Sequence, residues 1–344
     1  MKYRLLILFA TLFSIQTFAQ KNTDSLQRPK LVIGIVVDQM RWDYLYKFYS
    51  LYSETGGFKR MLNGGFSCEN TFIPYVPTVT AAGHTCIYTG SVPAINGIVG
   101  NEWFDRSKNK VVYCADDDNA TTIGANDDAG KMSPRNLVVT TITDELRIAT
   151  NFSSKVIGIS MKDRAAIFPA GHTANAAYWY DPANGNFISS SYYLKELPKW
   201  LNKFNDRNLA DSLYGLNWNI SLPENIYLKY CGANEQAYER KPFSGQSHFP
   251  YTLASYARKD YSRILVTPYA NTLLEALAES TIINENLGKN ASPDFLTVSF
   301  SAPDYIGHTF GSESWEQLDD YVKLDKVLSD FLSFLDNHVG KDNY

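Results

Sequence analysis

Three apolar runs in this sequence each end in residues able to hold charge or ligate a cation. Lys30-Leu-Val-Ile-Gly-Ile-Val-Val37 runs into Asp38, Lys155-Val-Ile-Gly-Ile-Ser160 into Lys162 and Arg164, and Asp294-Phe-Leu-Thr-Val-Ser-Phe300 into Asp304 and His308. A fourth group, Thr80, opens the segment Thr80-Ala-Ala-Gly-His-Thr-Cys-Ile-Tyr-Thr89 behind Pro74 and Pro77. Asp304-x-x-x-His308 offers a carboxylate oxygen and an imidazole nitrogen, donors suited to zinc, and Asp38 with the Thr80 oxygen would serve a second ion. A threonine hydroxyl is a poor nucleophile near neutral pH and needs a base or a metal to ionise it. Two ions about 4 Å apart can bind the attacking oxygen on one side and the leaving oxygen on the other, the geometry of in-line displacement at phosphorus. Lys162 and Arg164 are then candidate clamps for an oxyanion. Each residue also has a plainer reading: Thr80 as a helix N-cap, Asp38 as the cap of the next helix, the Lys/Arg pair as a solvated face. His84, one turn beyond Thr80, reads as structural rather than as a base.

Position is what makes these residues one site. The runs at 30–37, 155–160 and 294–300 have the β-branched pattern of parallel strands buried on both faces. In open α/β sheets ligands bind at strand carboxyl ends, where all three polar sets stand. Thr80 begins a short helix, whose unpaired N–H groups favour anions. The pattern predicts an α/β fold, a mostly parallel sheet flanked by helices. Helices are expected over 44–61, from Ser133-Pro134 through Ile148, over 268–287, and over 314–336 with Leu318, Tyr321, Leu324, Leu328, Phe331 and Leu335 on one face. Residues 64–73 read as a further strand. From about 174 to 269 neither period is sustained and aromatics are strewn among Asn, Ser and Lys, which predicts a long insertion capping the site.

A hydrophobic content of 44% and a charged content of 20% describe a soluble globular chain. A net charge of −4 leaves no broad basic field for a nucleic-acid polymer, so an anionic substrate must be held by local charge. Lys2 and Arg4, the apolar run Leu5 to Phe13 and Thr17-Phe-Ala19 read as a signal peptide over residues 1–19, with export to the periplasm or medium. That run is too short to span a bilayer, and no other stretch approaches a span. Cys68, Cys86, Cys114 and Cys231 are an even set in an exported chain, compatible with up to two disulfides in any of three pairings. No Cys-x-x-Cys is present.

Asp38 after its strand, Pro77-Thr-Val-Thr80-Ala-Ala-Gly-His84, Gly97-Ile-Val-Gly-Asn101, Met161-Lys-Asp-Arg164-Ala-Ala-Ile-Phe-Pro-Ala-Gly-His172 and Asp304-x-x-Gly-His308 together resemble the alkaline phosphatase superfamily. Within it they are most similar to the branch holding the nucleotide pyrophosphatase/phosphodiesterases and the phosphate-irrepressible, PafA-type alkaline phosphatases. The resemblance covers essentially the whole chain after the signal and implies an alkaline-phosphatase-like catalytic domain over 20–344. It implies Thr80 as nucleophile, Asn101 as ligand of a phosphoryl oxygen, and Lys162 and Arg164 as the pair that marks monoesterases. It also implies two zinc ions, one on Asp38 and Thr80, the other on Asp304 and His308. The family uses a later Asp-His pair and a still later His. Asp336-Asn-His338 lies inside the expected last helix and does not match, so the remaining ligands are expected C-terminal to Tyr344, in a longer protein of which this is the front portion.

The expected activity is hydrolysis of small-molecule phosphate monoesters through a phosphothreonine intermediate. The alternatives are a phosphodiesterase or nucleotide pyrophosphatase on the same site, and a fragment that binds ligand without turnover. A diester offers fewer charged oxygens to clamp, so the Lys/Arg pair favours the monoester. A sulfatase is disfavoured because Thr80 cannot be oxidised to formylglycine.

Overall fold

The computed structural model describes residues 28–344, so the expected signal at 1–19 lies outside the described residues. Its central sheet contains β1 (Leu31–Val37), β4 (Thr122–Ile123), β5 (Val156–Ser160), β6 (Ala176–Asp181), β7 (Asn186–Ser190) and β8 (Asp294–Phe300), while β2 (Glu102–Asp105) and β3 (Lys110–Tyr113) form a separate hairpin. The helices that bear on the site are α1 (Thr80–Thr89), α2 (Ile142–Ala149), α3 (Asp163–Ala170), α4 (Tyr269–Glu285), α5 (Ala302–Phe310) and α6 (Trp315–Leu335). The strands lie in the order β1-β8-β5-β6-β7-β4, parallel from β1 to β6 and antiparallel beyond.

The apolar runs at 155–160 and 294–300 form strands buried along their whole length, as their composition demands. β1 differs. It reads as a strand covered on both sides, yet it pairs with β8 alone, and six of its seven residues stay partly exposed. Among the described residues no strand lies along its other edge, and Ile35, Val37, Met40, Leu45 and Phe58 line an apolar hollow of about 390 Å³ beside it.

Helix α3 lies close on β5 because residue 158 is glycine: a Cβ there would stand 2.2 Å from the Ala166 carbonyl oxygen. Several expected boundaries shift for physical reasons. The helix expected from Ser133 begins only at Ile142, because Thr141 and Asp144 make a reciprocal capping box while the Ser133 hydroxyl donates to Asp117 instead. Segment 44–61 is broken by a turn before Gly57, giving short helices at Tyr44–Lys47 and Gly57–Gly64. The expected strand at 64–73 is irregular chain with Phe66, Phe72 and Ile73 exposed, since it meets no backbone with which to form a ladder. All four cysteines are free thiols, so neither of the two possible disulfides forms.

The aromatic-rich stretch from about 174 to 269 starts inside the sheet, where it supplies β6 and β7. Its remainder packs on the first turns of α6 through the polar tips of its aromatic rings. Trp218 donates its indole N–H to Asp319 at 2.7 Å, Tyr227 its hydroxyl to Asp319 at 2.6 Å, and Tyr251 its hydroxyl to Glu316 at 2.6 Å. Rings with a polar handle can thus be buried beside carboxylates without orphaning either. The six apolar residues named on the last helix are all buried.

Glu316 is only half satisfied. Its second oxygen is buried with no partner, and burial lifts its pKa from the ordinary 4.5 to about 7. The folded state therefore holds a proton that the unfolded chain releases near pH 4.5, so folding stability should fall as pH rises from about 4.5 to about 7, by at most ~1.4 kcal/mol per pH unit. Urea unfolding at pH 5 and pH 8 should show this decline, and Glu316→Gln should flatten it; an unchanged slope in the variant would assign the decline to other groups.

Candidate active site

Level strand ends bring the polar sets together. Val37 is in register with Phe300, and Ser299 with Ser160, so β1, β8 and β5 finish side by side. Each then delivers its residues within a few positions: Asp38 directly, Lys162 as the residue before α3, and Asp304 and His308 one turn apart on α5. All seven residues singled out from the sequence, Asp38, Thr80, Asn101, Lys162, Arg164, Asp304 and His308, line one cavity of about 590 Å³. No residue between 174 and 269 lines it.

The plain readings of Thr80 and Asp38 do not hold. Val79 precedes α1 in extended conformation without a side-chain cap, and Thr80 is the first helical residue. Its hydroxyl donates instead to Asp38 Oδ2 at 3.1 Å, across the cleft. Asn101 performs the capping: its Oδ1 accepts the Ala81 N–H at 3.0 Å, which orients the amide and leaves the Nδ2 hydrogens for the cavity. His84 is structural. Buried and kept neutral by that burial, it donates from Nδ1 to the Thr80 carbonyl at 2.8 Å and accepts the Ser299 hydroxyl at Nε2, 2.7 Å away. The start of α1 is thereby tied to the central strand β8.

Lys162 dominates the electrostatics. Its side chain is 1% exposed, and its Nζ lies 2.6 Å from Asp38 Oδ2, 2.5 Å from Asp304 Oδ2 and 3.4 Å from Thr80 Oγ1. The Tyr305 ring centroid lies 4.7 Å from the same ammonium. Burial works against the Asp38 carboxylate, but the Lys162 charge, helped by His84 and the hydrogen bonds from Lys162 and Thr80, outweighs it and holds the Asp38 pKa below its ordinary value. Rather than facing the cavity as a free clamp, the ammonium sits between the two carboxylates. His308 Nε2 lies 3.3 Å from Asp304 Oδ1 and 3.2 Å from Gln39 Nε2.

Among the described residues no three His, Cys, Asp or Glu side chains gather as a metal cage. The donors that do meet, carboxylates from Asp38 and Asp304 with the Thr80 oxygen, already surround a cation, the ammonium of Lys162, and His308 adds a nitrogen at the rim. That donor chemistry fits divalent ions such as zinc. His338 takes no part: it stacks on Phe334, with ring centroids 5.3 Å apart, and is not among the cavity residues.

Sequence reasoning missed Gln39, Tyr305, Tyr113 and Ser299. Gln39 and Tyr305 adjoin residues already singled out, whereas Tyr113 and Ser299 act across the fold and carry no local signal. In metal-free protein Lys162→Met should leave two buried carboxylates without their cation and destabilise the fold by about 3–5 kcal/mol. Chelator-treated wild type and variant compared in urea would measure it, and a loss under ~1 kcal/mol would mean that the carboxylates are hydrated rather than paired.

The model of the type I phosphodiesterase / nucleotide pyrophosphatase family matches residues 32–344. Alkaline phosphatase PhoV of Synechococcus elongatus is 51% identical over 356 aligned residues, covering 100% of this chain and 64% of its own. Alkaline phosphatase PafA of Elizabethkingia meningoseptica is 50% identical over 334 residues, covering 95% of this chain and 60% of its own. A crystal structure of wild-type alkaline phosphatase PafA matches with a TM-score of 0.90 at 50% identity, over 93% of this chain and 62% of the solved one. The chain thus spans 60–64% of the length of these curated relatives.

Proposed function

The chain belongs to the type I phosphodiesterase / nucleotide pyrophosphatase family, and from that premise we propose that the protein is an exported two-zinc alkaline phosphatase that hydrolyses small phosphate monoesters. The observation that carries this reading is the Thr80 hydroxyl, bonded to Asp38 at the start of α1 in a cleft shared with Asn101, Lys162 and Arg164. Identity of 50–51% to alkaline phosphatases supports it. Export rests on the charged and apolar pattern of residues 1–19. The stretch beyond β7 to about 269 is retained as an insertion, in contact with α6.

Asp38 and Thr80 would hold one ion, Asp304 and His308 the other, with further donors outside this set because zinc generally takes four. When bound, such ions supply Lewis acidity that lowers the pKa of a coordinated hydroxyl and offsets charge on phosphoryl oxygens. The chain's own residues do the rest. Asp38 Oδ2 accepts the Thr80 hydrogen and so fixes where the oxygen points. That oxygen attacks phosphorus, the bond to the leaving alcohol breaks, and water then cleaves the phosphothreonine. Asn101 presents Nδ2 to one phosphoryl oxygen. Lys162 and Arg164 present charged donors to the others once the ammonium is released from the carboxylates. The family description keeps a diesterase reading in view, but a diester blocks one oxygen and leaves one of these donors idle.

Two results would test this in the complete, zinc-loaded protein. Thr80→Ala should abolish acid-quenched labelling of the enzyme by a radiolabelled aryl phosphate while Thr80→Ser retains it; labelling in the alanine variant would move the nucleophile elsewhere. Lys162→Ala/Arg164→Ala should lower kcat/KM for an aryl phosphate at least ~100-fold, from charge-assisted bonds of about 1.5–3 kcal/mol each, and far less for the matching alkyl aryl diester. Equal losses, or wild type preferring the diester, would favour the diesterase.

A further inference from the structure

Arg164 is held by a chain of hydrogen bonds that ends in the β2–β3 hairpin. Its Nη1 donates to the Tyr113 hydroxyl at 2.9 Å, and that hydroxyl donates to Asp163 Oδ1 at 2.5 Å. The same carboxylate oxygen accepts the Arg164 backbone N–H at 2.5 Å. Asp163 therefore fixes the backbone of residue 164 directly and its guanidinium through Tyr113. Hydroxyls that give and accept at once are polarised, which strengthens both bonds. Arg164 Nε is buried with no partner, a donor that only a ligand oxygen in the cavity can satisfy. At the base of the hairpin Glu102 is in register with Tyr113, and the Asn101 carbonyl accepts the Cys114 N–H at 2.8 Å. Asn101 and Tyr113 are thus held level on neighbouring strands.

Resting on the phosphomonoester reading, we infer that Tyr113 is a positioning residue: with Asp163 it aims the Arg164 guanidinium into the cleft and registers it against Asn101, so that one hairpin sets the spacing of two substrate donors. Without the hydroxyl, the guanidinium is left with Asp163, whose carboxylate stands only 3.6 Å from Nη1, and collapses onto it rather than facing the cavity. Tyr113 acts through Arg164 and touches no reacting atom. Its effect should therefore be confined to substrates that use Arg164, and should vanish where Arg164 is absent.

The test is a double-mutant cycle in the complete, zinc-loaded protein. Tyr113→Phe should lower kcat/KM for an aryl phosphate about 10-fold while changing that for an alkyl aryl diester less than about twofold, and in an Arg164→Ala background it should change neither. Asp163→Asn, which weakens the same chain without altering the tyrosine's packing, should give a smaller loss of the same pattern. Losses that are equal for both substrates, or that persist without Arg164, would assign Tyr113 to packing and overturn the inference. Should wild type fail to cleave the aryl phosphate, the phosphomonoester reading falls. The same cycle read by calorimetric binding of inorganic phosphate then decides on Tyr113 alone: weakening that needs Arg164 upholds it, and additive effects or none reject it.

Discussion

An ammonium almost wholly removed from water between two carboxylates is the constraint on which this cleft depends. Desolvating each ion costs several kcal/mol, and the arrangement persists only because Asp38, Lys162 and Asp304 meet at hydrogen-bond distance with the Thr80 hydroxyl beside them. The three charges come from three neighbouring strand ends. Any slip between β1, β8 and β5 would part them, so the ion cluster and the register of the sheet specify each other.

The scaffold supplies that register from apolar chain. β5 and β8 are buried throughout, and the glycine at 158 lets α3 settle on β5, which aims Lys162 and Arg164 at the cleft. A second tie works from the other side. Through His84 the first turn of α1 is bound to Ser299 on β8, so the nucleophile candidate is anchored to the strand that carries Asp304 and His308. Thr80 and the acidic residues therefore share one rigid foundation, which is what a displacement needing reacting atoms within a few tenths of an ångström requires.

Much of this was legible in the sequence because the relevant signals are local. An apolar, β-branched run closing on a charged residue announces a strand end, and all seven named residues meet in one cavity. The boundaries that moved did so through partners far off in the chain: Ser133 is captured by Asp117, leaving Thr141 to cap α2, and segment 64–73 has the composition of a strand but no ladder partner. β1 shows the limit most clearly. Its residues have the composition of a doubly covered strand, and pattern alone cannot say which edge of a sheet is free. The aromatic-rich stretch misled for the opposite reason: its period is obscured by rings buried for their polar tips, so β6 and β7 were hidden within it.

Charge balance explains why the proposed phosphatase chemistry asks for bound dications rather than for these side chains alone. The ionised groups lining the cleft are two carboxylates, Asp38 and Asp304, and two cations, Lys162 and Arg164, which cancel. A phosphate monoester brings roughly two negative charges near pH 8, into a protein whose net charge is −4. With Lys162 committed to the carboxylates, Arg164 and the neutral Asn101 amide are the donors left to receive it. On the proposed reading, dications taking the place of the ammonium between the carboxylates change both sides of this balance: they leave the cleft positive and release Lys162 toward the substrate. The same two carboxylates would then serve two states, one closed on the lysine and one holding metal with the lysine free. The arrangement of Lys162 described here is the first of these, and the oxygen donors around it are what make the second accessible.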